Sequence, residues 1–201
     1  MDLAPLPATA AWRHRDARDG FEVAYFQVLD RGCRIEGFTA AIEDGVTWAV
    51  EYFIDLDATG ATRSARIGGR SAAGSSSALL EADGAGRWLV DGVPAPHLDG
   101  CLDVDLESSA VTNALPVRRM RLAPGAGAAA PAAYVRAVGL AVERLEQTYV
   151  RAPDEAAGQS YDYAAPVFDF ACRIDYDESG LVLSYPGIAV RAESGDTPPP
   201  V

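Results

Sequence analysis

The sequence predicts a mainly β protein, an antiparallel meander with few or no helices. Three observations carry that reading. Runs rich in Val, Ile, Phe, Tyr and Trp recur along the chain. Asp-Gly, Arg-Gly and Ser-Gly pairs punctuate them at short intervals. The segment with helical spacing, Tyr134 to Tyr149, also alternates as a strand and carries a helix-weakening Gly139. With 201 residues, 49% of them hydrophobic, the chain can bury roughly 70% of its unfolded surface and needs no staples to fold.

Taken in order, FEVAYFQVL (21–29) places Phe21, Val23 and Tyr25 on one strand face. Arg31-Gly32 ends it, and Cys33 to Ile42 follows with Ile35 and Phe38 as expected anchors. Asp44-Gly45 predicts a hairpin into VTWAVEYFIDL, where Trp48, Val50, Tyr52 and Ile54 oppose Thr47, Ala49, Glu51 and Phe53. Gly60 turns the chain into a strand over 61–67 that places Arg63 and Arg66 unequally. GGRSAAGSSSA (68–78) has no periodicity and is expected as an exposed hairpin loop, with APGAGAAAPAA (123–133) as a second. Between them LLEADGAGRWLVDG reads as strand, Asp-Gly turn, strand. From Pro166 the chain reads as strand, turn at Ser179-Gly180, strand, a Tyr-Pro-Gly break and a last short strand. Residues 1–192 form one domain in this reading, and 193–201 form a disordered Pro-rich tail.

Acidic residues outnumber basic ones 29 to 17, for a net charge of -12, which argues against nucleic acid and against an anionic membrane surface as partners. Every basic residue is Arg, so Schiff-base and phosphate-loop lysines are excluded. Cys33, Cys101 and Cys172 are widely spaced and only two histidines exist, so neither a metal site nor a cofactor is expected. His14 and His97 are isolated and expected at the surface or in turns. The N-terminus lacks the basic segment and apolar run of a signal peptide, and no stretch of about 18 apolar residues exists for a membrane span. The expectation is a cytoplasmic protein with free thiols. Trp12, Trp48 and Trp88 are expected in the core, with a cavity wall as their second role.

The densest polar cluster runs from Asp99 to Arg121. On a strand, Cys101, Asp103 and Asp105 share one face, with neighbouring carboxylates about 6.5–7 Å apart. Read as a strand, 115–122 sets Arg118 beside Met120 and Leu122, and an Arg on an apolar face must snorkel or meet a carboxylate. The Asp103/Asp105 pair is the candidate partner. Paired carboxylates suit glycoside acid–base chemistry, a divalent cation, contacts to sugar hydroxyls or a polar head group, or a buried ion-pair network.

LDGCLDVDLESSAVTNALPVRRMRL (98–122) resembles the signature of the bacterial family described as putative glycolipid-binding, formerly a domain of unknown function. Gln147-x-Tyr149, Tyr161-x-Tyr163 and GLVLSYPGIAVR (180–191) match further blocks of that family in order, so the resemblance spans roughly residues 12 to 192. Two departures stand out. Ser109-Ala110 replaces a usual Thr-Pro, and Met120 replaces a Leu. The resemblance implies an open, strongly curved antiparallel sheet or half barrel, like the carriers that shuttle lipoproteins.

It implies also a cavity for a lipid or glycolipid. Trp48, Tyr52, Trp88 and Tyr149 would line the wall, and Asp103, Asp105, Asn113, Arg118 and Gln147 would orient the ligand. The alternatives are an enzyme of glycolipid or carbohydrate metabolism using Asp103 and Asp105, and an interaction domain without a small ligand. The nearby Arg118 and Arg119 would lower a carboxyl pKa, which ranks the enzyme below the binder. No catalytic residue is assigned, and oligomeric state is left open.

Overall fold

The computed structural model describes residues 3–153 and 158–192. The expected tail, 193–201, lies outside them. Among the described residues the fold is mainly β, with one short α-helix, α1 (Ala114–Met120), and three turns of 3₁₀-helix. The first half supplies β1 (Thr9–His14), β2 (Asp19–Leu29), β3 (Gly32–Glu43), β4 (Val46–Leu56), β5 (Thr62–Ser71), β6 (Gly74–Ala82), β7 (Trp88–Val90) and β8 (Val93–Pro94). The second supplies β9 (Asp103–Leu106), β10 (Gly127–Ala129), β11 (Ala132–Val135), β12 (Val142–Leu145) and β13 (Thr148–Arg151). It closes with β14 (Gln159–Ala165), β15 (Phe170–Tyr176), β16 (Val182–Tyr185) and β17 (Ala189–Arg191).

Fourteen strands form one antiparallel sheet in the order β10-β13-β14-β15-β16-β17-β1-β2-β3-β4-β5-β6-β7-β8. The first and last strands of the chain pair in its interior, Trp12 opposite Arg191. Its end strands β10 and β8 do not pair with each other, so the barrel stays open. A second sheet, β12-β11-β9, lies inside the curve, and its β9–β11 pair is parallel because a long connection through α1 separates the two. Both arms of the large sheet grip this inner layer. Thr62 on β5 accepts from the Val104 N–H at 3.0 Å, and from the other arm Tyr176 on β15 donates to the Asn113 carbonyl at 3.2 Å.

The period-2 pattern holds best in β4, where Trp48, Val50, Tyr52 and Ile54 all point inward. Asp44 and Gly45 both take positive φ, the backbone a two-residue hairpin needs. In β2, Phe21, Val23 and Tyr25 do share a face, but it is the outer one, and Glu22, Ala24 and Phe26 are buried instead. Ile35 is buried and Phe38 is half exposed, since an odd spacing cannot put both on one face of a regular strand. A bulge opposite Asp55 and Leu56 leaves Arg63 with no residue opposite it on β4 and resets the alternation, so Arg63 and Arg66 both reach solvent.

The two low-complexity stretches correct the loop expectation. Gly68, Gly69 and Ser75–Ser77 pair across β5 and β6, with only a tight turn between the strands. A β-carbon on Gly69 would sit 3.3 Å from Leu140, so glycine there makes room for packing rather than for flexibility. Likewise 123–133 contains β10 and the start of β11. In 134–149 the strand reading holds for β11 and β12, but Val138 and Leu140 lie in the turn between them, where Gly139 and Leu140 take positive φ.

Candidate functional site

The polar cluster is built on β9. Because the large sheet covers it on one side and the inner sheet continues on the other, all four of its residues are buried. Asp103 and Asp105 share a face, as alternation requires, but they meet different partners. Arg119 donates to Asp103 from Nε at 3.0 Å and from Nη2 at 2.6 Å. The Thr112 hydroxyl donates to Asp105 at 2.9 Å.

The expected strand over 115–122 is replaced by α1, preceded by a 3₁₀ turn at Val111–Asn113. Pro116 falls in the first helical turn, where no backbone N–H is required, and Arg121 ends the helix in the left-handed region. On a helix, adjacent arginines point about 100° apart. Arg119 faces β9 and takes the carboxylate, and Arg118, expected to meet the Asp103/Asp105 pair, donates instead to the Ser179 carbonyl. Arg118 lines a separate, open depression with Arg119, Arg121 and Gly60.

A cavity of about 240 Å³ opens beside Asp105. Its wall is aromatic. Tyr163, Phe170 and Tyr185 meet one another at centroid distances of 5.8–6.3 Å, and Tyr134 meets Phe168 at 5.5 Å. Its polar groups are Asp105, Asn113, Ser109, Glu107, Arg18 and Arg136. Burial raises the Asp105 pKa to about 6; Thr112 and the Gln147 side chain act to lower it, while the charges of Asp103 and Glu107 raise it further. Asn113 donates to the Tyr149 hydroxyl at 3.1 Å, which fixes the amide. Arg136 stacks on Tyr134 and Phe168 and pairs with Glu107 and Glu143 at 3.3 and 3.1 Å. Arg18 lies over Trp48, donates to the Glu107 carbonyl at 2.6 Å, and leaves its buried Nε without a partner among the described residues.

Of the nine expected site residues, Asp105 and Asn113 line this cavity. Tyr149 and Gln147 stand directly behind it, as the partners of Asn113 and Asp105. Trp48 is one layer back, under Arg18. Trp88 is farther off, its indole donating to the Cys101 carbonyl at 2.9 Å ahead of β9. Tyr52 supports the site indirectly by donating at 2.6 Å to Glu22, a fully buried carboxyl that also accepts from the Ser109 hydroxyl and, at 2.8 Å, from the Ala110 N–H. Burial pushes the Glu22 pKa up. The Ser-Ala departure thus has a structural role, because a proline at 110 would have no N–H to give. Asp103 and Arg118 do not line the cavity.

Sequence reasoning missed Arg18, Glu107, Tyr134, Arg136, Phe168 and Phe170. Tyr163 and Tyr185 lie within motif blocks that were legible, but their meeting is a property of the fold. His14 corrects another expectation. It is buried, and burial first, then the charge of Arg18, lowers its pKa to about 4. His97 is exposed as expected. Among the described residues no cluster of His, Cys, Asp or Glu could hold a metal ion, and no helix is long and apolar enough to cross a membrane.

A family described as "Putative glycolipid-binding" matches residues 9–191. The chain is similar to a protein of the DUF1089 family from Pseudomonas aeruginosa, with 31% identity, a TM-score of 0.75, and coverage of 96% of this chain and 98% of that one. A β-barrel-like protein of the DUF1849 domain from Brucella abortus shares the fold, with 11% identity, a TM-score of 0.55 and 95% coverage of both chains. No curated protein matches.

Proposed function

Because this chain belongs to the family described as putative glycolipid-binding, we propose that its cavity beside Asp105 holds the sugar ring of a glycolipid. The observation that carries the reading is a half-open cavity with an aromatic wall and a few fixed polar groups. A pyranose has the matching chemistry, with apolar C–H faces for Tyr163, Phe170 and Tyr185, and hydroxyls for the rest. Asn113 is held ready to accept or donate, and Asp105 accepts when ionised and donates when protonated. At about 240 Å³ the space is smaller than the roughly 300–1,000 Å³ of pockets that enclose larger ligands, so a single ring unit is the fit.

A two-carboxylate enzyme using Asp103 and Asp105 finds less support, since Asp103 is engaged by Arg119 outside the cavity lining. A domain without a small ligand would be expected to fill this space with its own side chains. The three free thiols, Cys33, Cys101 and Cys172, support a reducing, cytoplasmic setting.

Native mass spectrometry of the full chain with hexyl glucoside, galactoside, mannoside and rhamnoside tests the reading. A one-to-one adduct with at least one of them is expected, weakened about tenfold or more in Asn113→Ala. If none of the four binds, and solvent extraction of the purified protein yields no lipid, the reading fails.

A further inference from the structure

The β14–β15 hairpin supplies Tyr163, Ala165, Phe168 and Phe170 to the cavity, so its tip stands at the cavity's edge. That tip is Pro166-Val167-Phe168, a 3₁₀ turn closed by Asp169 in the left-handed region. All three tip residues are exposed, Val167 at 71%, although a polar turn would satisfy the same geometry. Phe168 serves both surfaces: its ring packs on Tyr134 inside the cavity, yet 41% of the residue faces solvent. Three consecutive exposed apolar residues beside a ligand cavity suit a partner that is itself apolar.

The cavity decides which partner. It has room for a ring unit but not for acyl chains as well. Each methylene withdrawn from lipid into water costs about 0.8 kcal/mol, so the chains stay in the bilayer and the protein must come to them. With a net charge of -12, and with Arg136 at the cavity already paired to Glu107 and Glu143, the chain suits an uncharged surface better than an anionic one. We propose that Pro166, Val167 and Phe168 dip into the interface of an uncharged bilayer, so that the cavity receives the sugar of a glycolipid still seated in the membrane. This inference rests on the sugar-binding reading of the cavity.

The test uses the full chain, phosphatidylcholine vesicles with and without monoglucosyl diacylglycerol, and hexyl glucoside as a soluble probe of the cavity. Val167→Asp is the variant, because Val167 is exposed and does not line the cavity. The wild type is expected to sediment with the glycolipid vesicles. The variant is expected to do so about tenfold less while binding hexyl glucoside unchanged. If the variant binds vesicles as the wild type does, or if the wild type binds hexyl glucoside but no vesicle, the tip has no such role and the cavity reading stands. If neither probe binds the wild type, this inference falls, and the cavity reading falls with it when the galactoside, mannoside and rhamnoside also fail to bind and solvent extraction of the purified protein yields no lipid.

Discussion

Asp105→Asn separates the stability of this fold from its chemistry. The Asp105 carboxyl is buried beside Asp103 and Glu107, and its pKa stands at about 6 against an ordinary value of 3.8. At about 1.4 kcal/mol per unit, that difference is worth roughly 3 kcal/mol. A carboxyl with a raised folded pKa adds stability that is full below the unfolded value and is lost as pH rises through the folded one. Asp105 therefore favours the fold below about pH 4, and that contribution is gone above about pH 7. Asparagine has nearly the shape of the protonated acid, can still accept from the Thr112 hydroxyl, and does not titrate. The two proteins should unfold at nearly the same urea concentration at pH 3.5. The variant should then pull ahead between pH 4 and 7, by up to roughly 3 kcal/mol. For a chain of this length that corresponds to a melting temperature raised by up to about 10 °C. Urea titrations at five or six pH values on both proteins measure the gap directly, since the other carboxyls are common to both. A gap independent of pH, or one that favours the wild type at pH 8, would refute the burial argument. The expected gain gives a reason to look for chemistry here, because a costly buried charge facing a cavity marks a site where function outweighs stability.

Other expectations rest on the surrounding contacts. Arg119→Ala strands the Asp103 carboxylate in a buried site and should lower stability by about 3–5 kcal/mol in chemical denaturation, with Asp103→Asn added to it recovering part of the loss. Ala110→Pro suits the backbone φ of -75° and should gain about 0.4–1 kcal/mol through the unfolded chain. It also removes a donor from buried Glu22, which costs about 1–3 kcal/mol, so a net loss is expected in urea unfolding, and a net gain would show that the Tyr52 and Ser109 donors suffice. His14, with its pKa lowered to about 4, contributes stability that is full above pH 6.5 and is lost as pH falls through about 4. His14→Gln should flatten the acid side of the stability curve, read as the melting temperature between pH 7 and 4.

What the sequence determined by itself is whatever depends on neighbours along the chain. Alternation in Val46–Leu56, the Asp44-Gly45 hairpin, the Ser179-Gly180 turn and the shared face of Asp103 and Asp105 are local properties of an extended backbone, and each holds in the folded protein. Alternation sets parity but not which side is the core. Only the tertiary structure turned Glu22 inward and Phe21, Val23 and Tyr25 outward, because Tyr52 and Ser109 wait inside with hydroxyls. Composition likewise failed at Gly68–Ser77, where cross-strand hydrogen bonds and the space needed by Leu140 outweigh poor strand propensity. Arg119 rather than Arg118 reached Asp103 because 114–120 is helical, with Pro116 comfortable in its first turn, and a helix sets its faces by a 3.6-residue period rather than by alternation. The cavity lay furthest from local view. Its walls come from Asp105, Tyr134, Tyr163 and Tyr185, which are separated by tens of residues and brought together only when one curved sheet wraps a second.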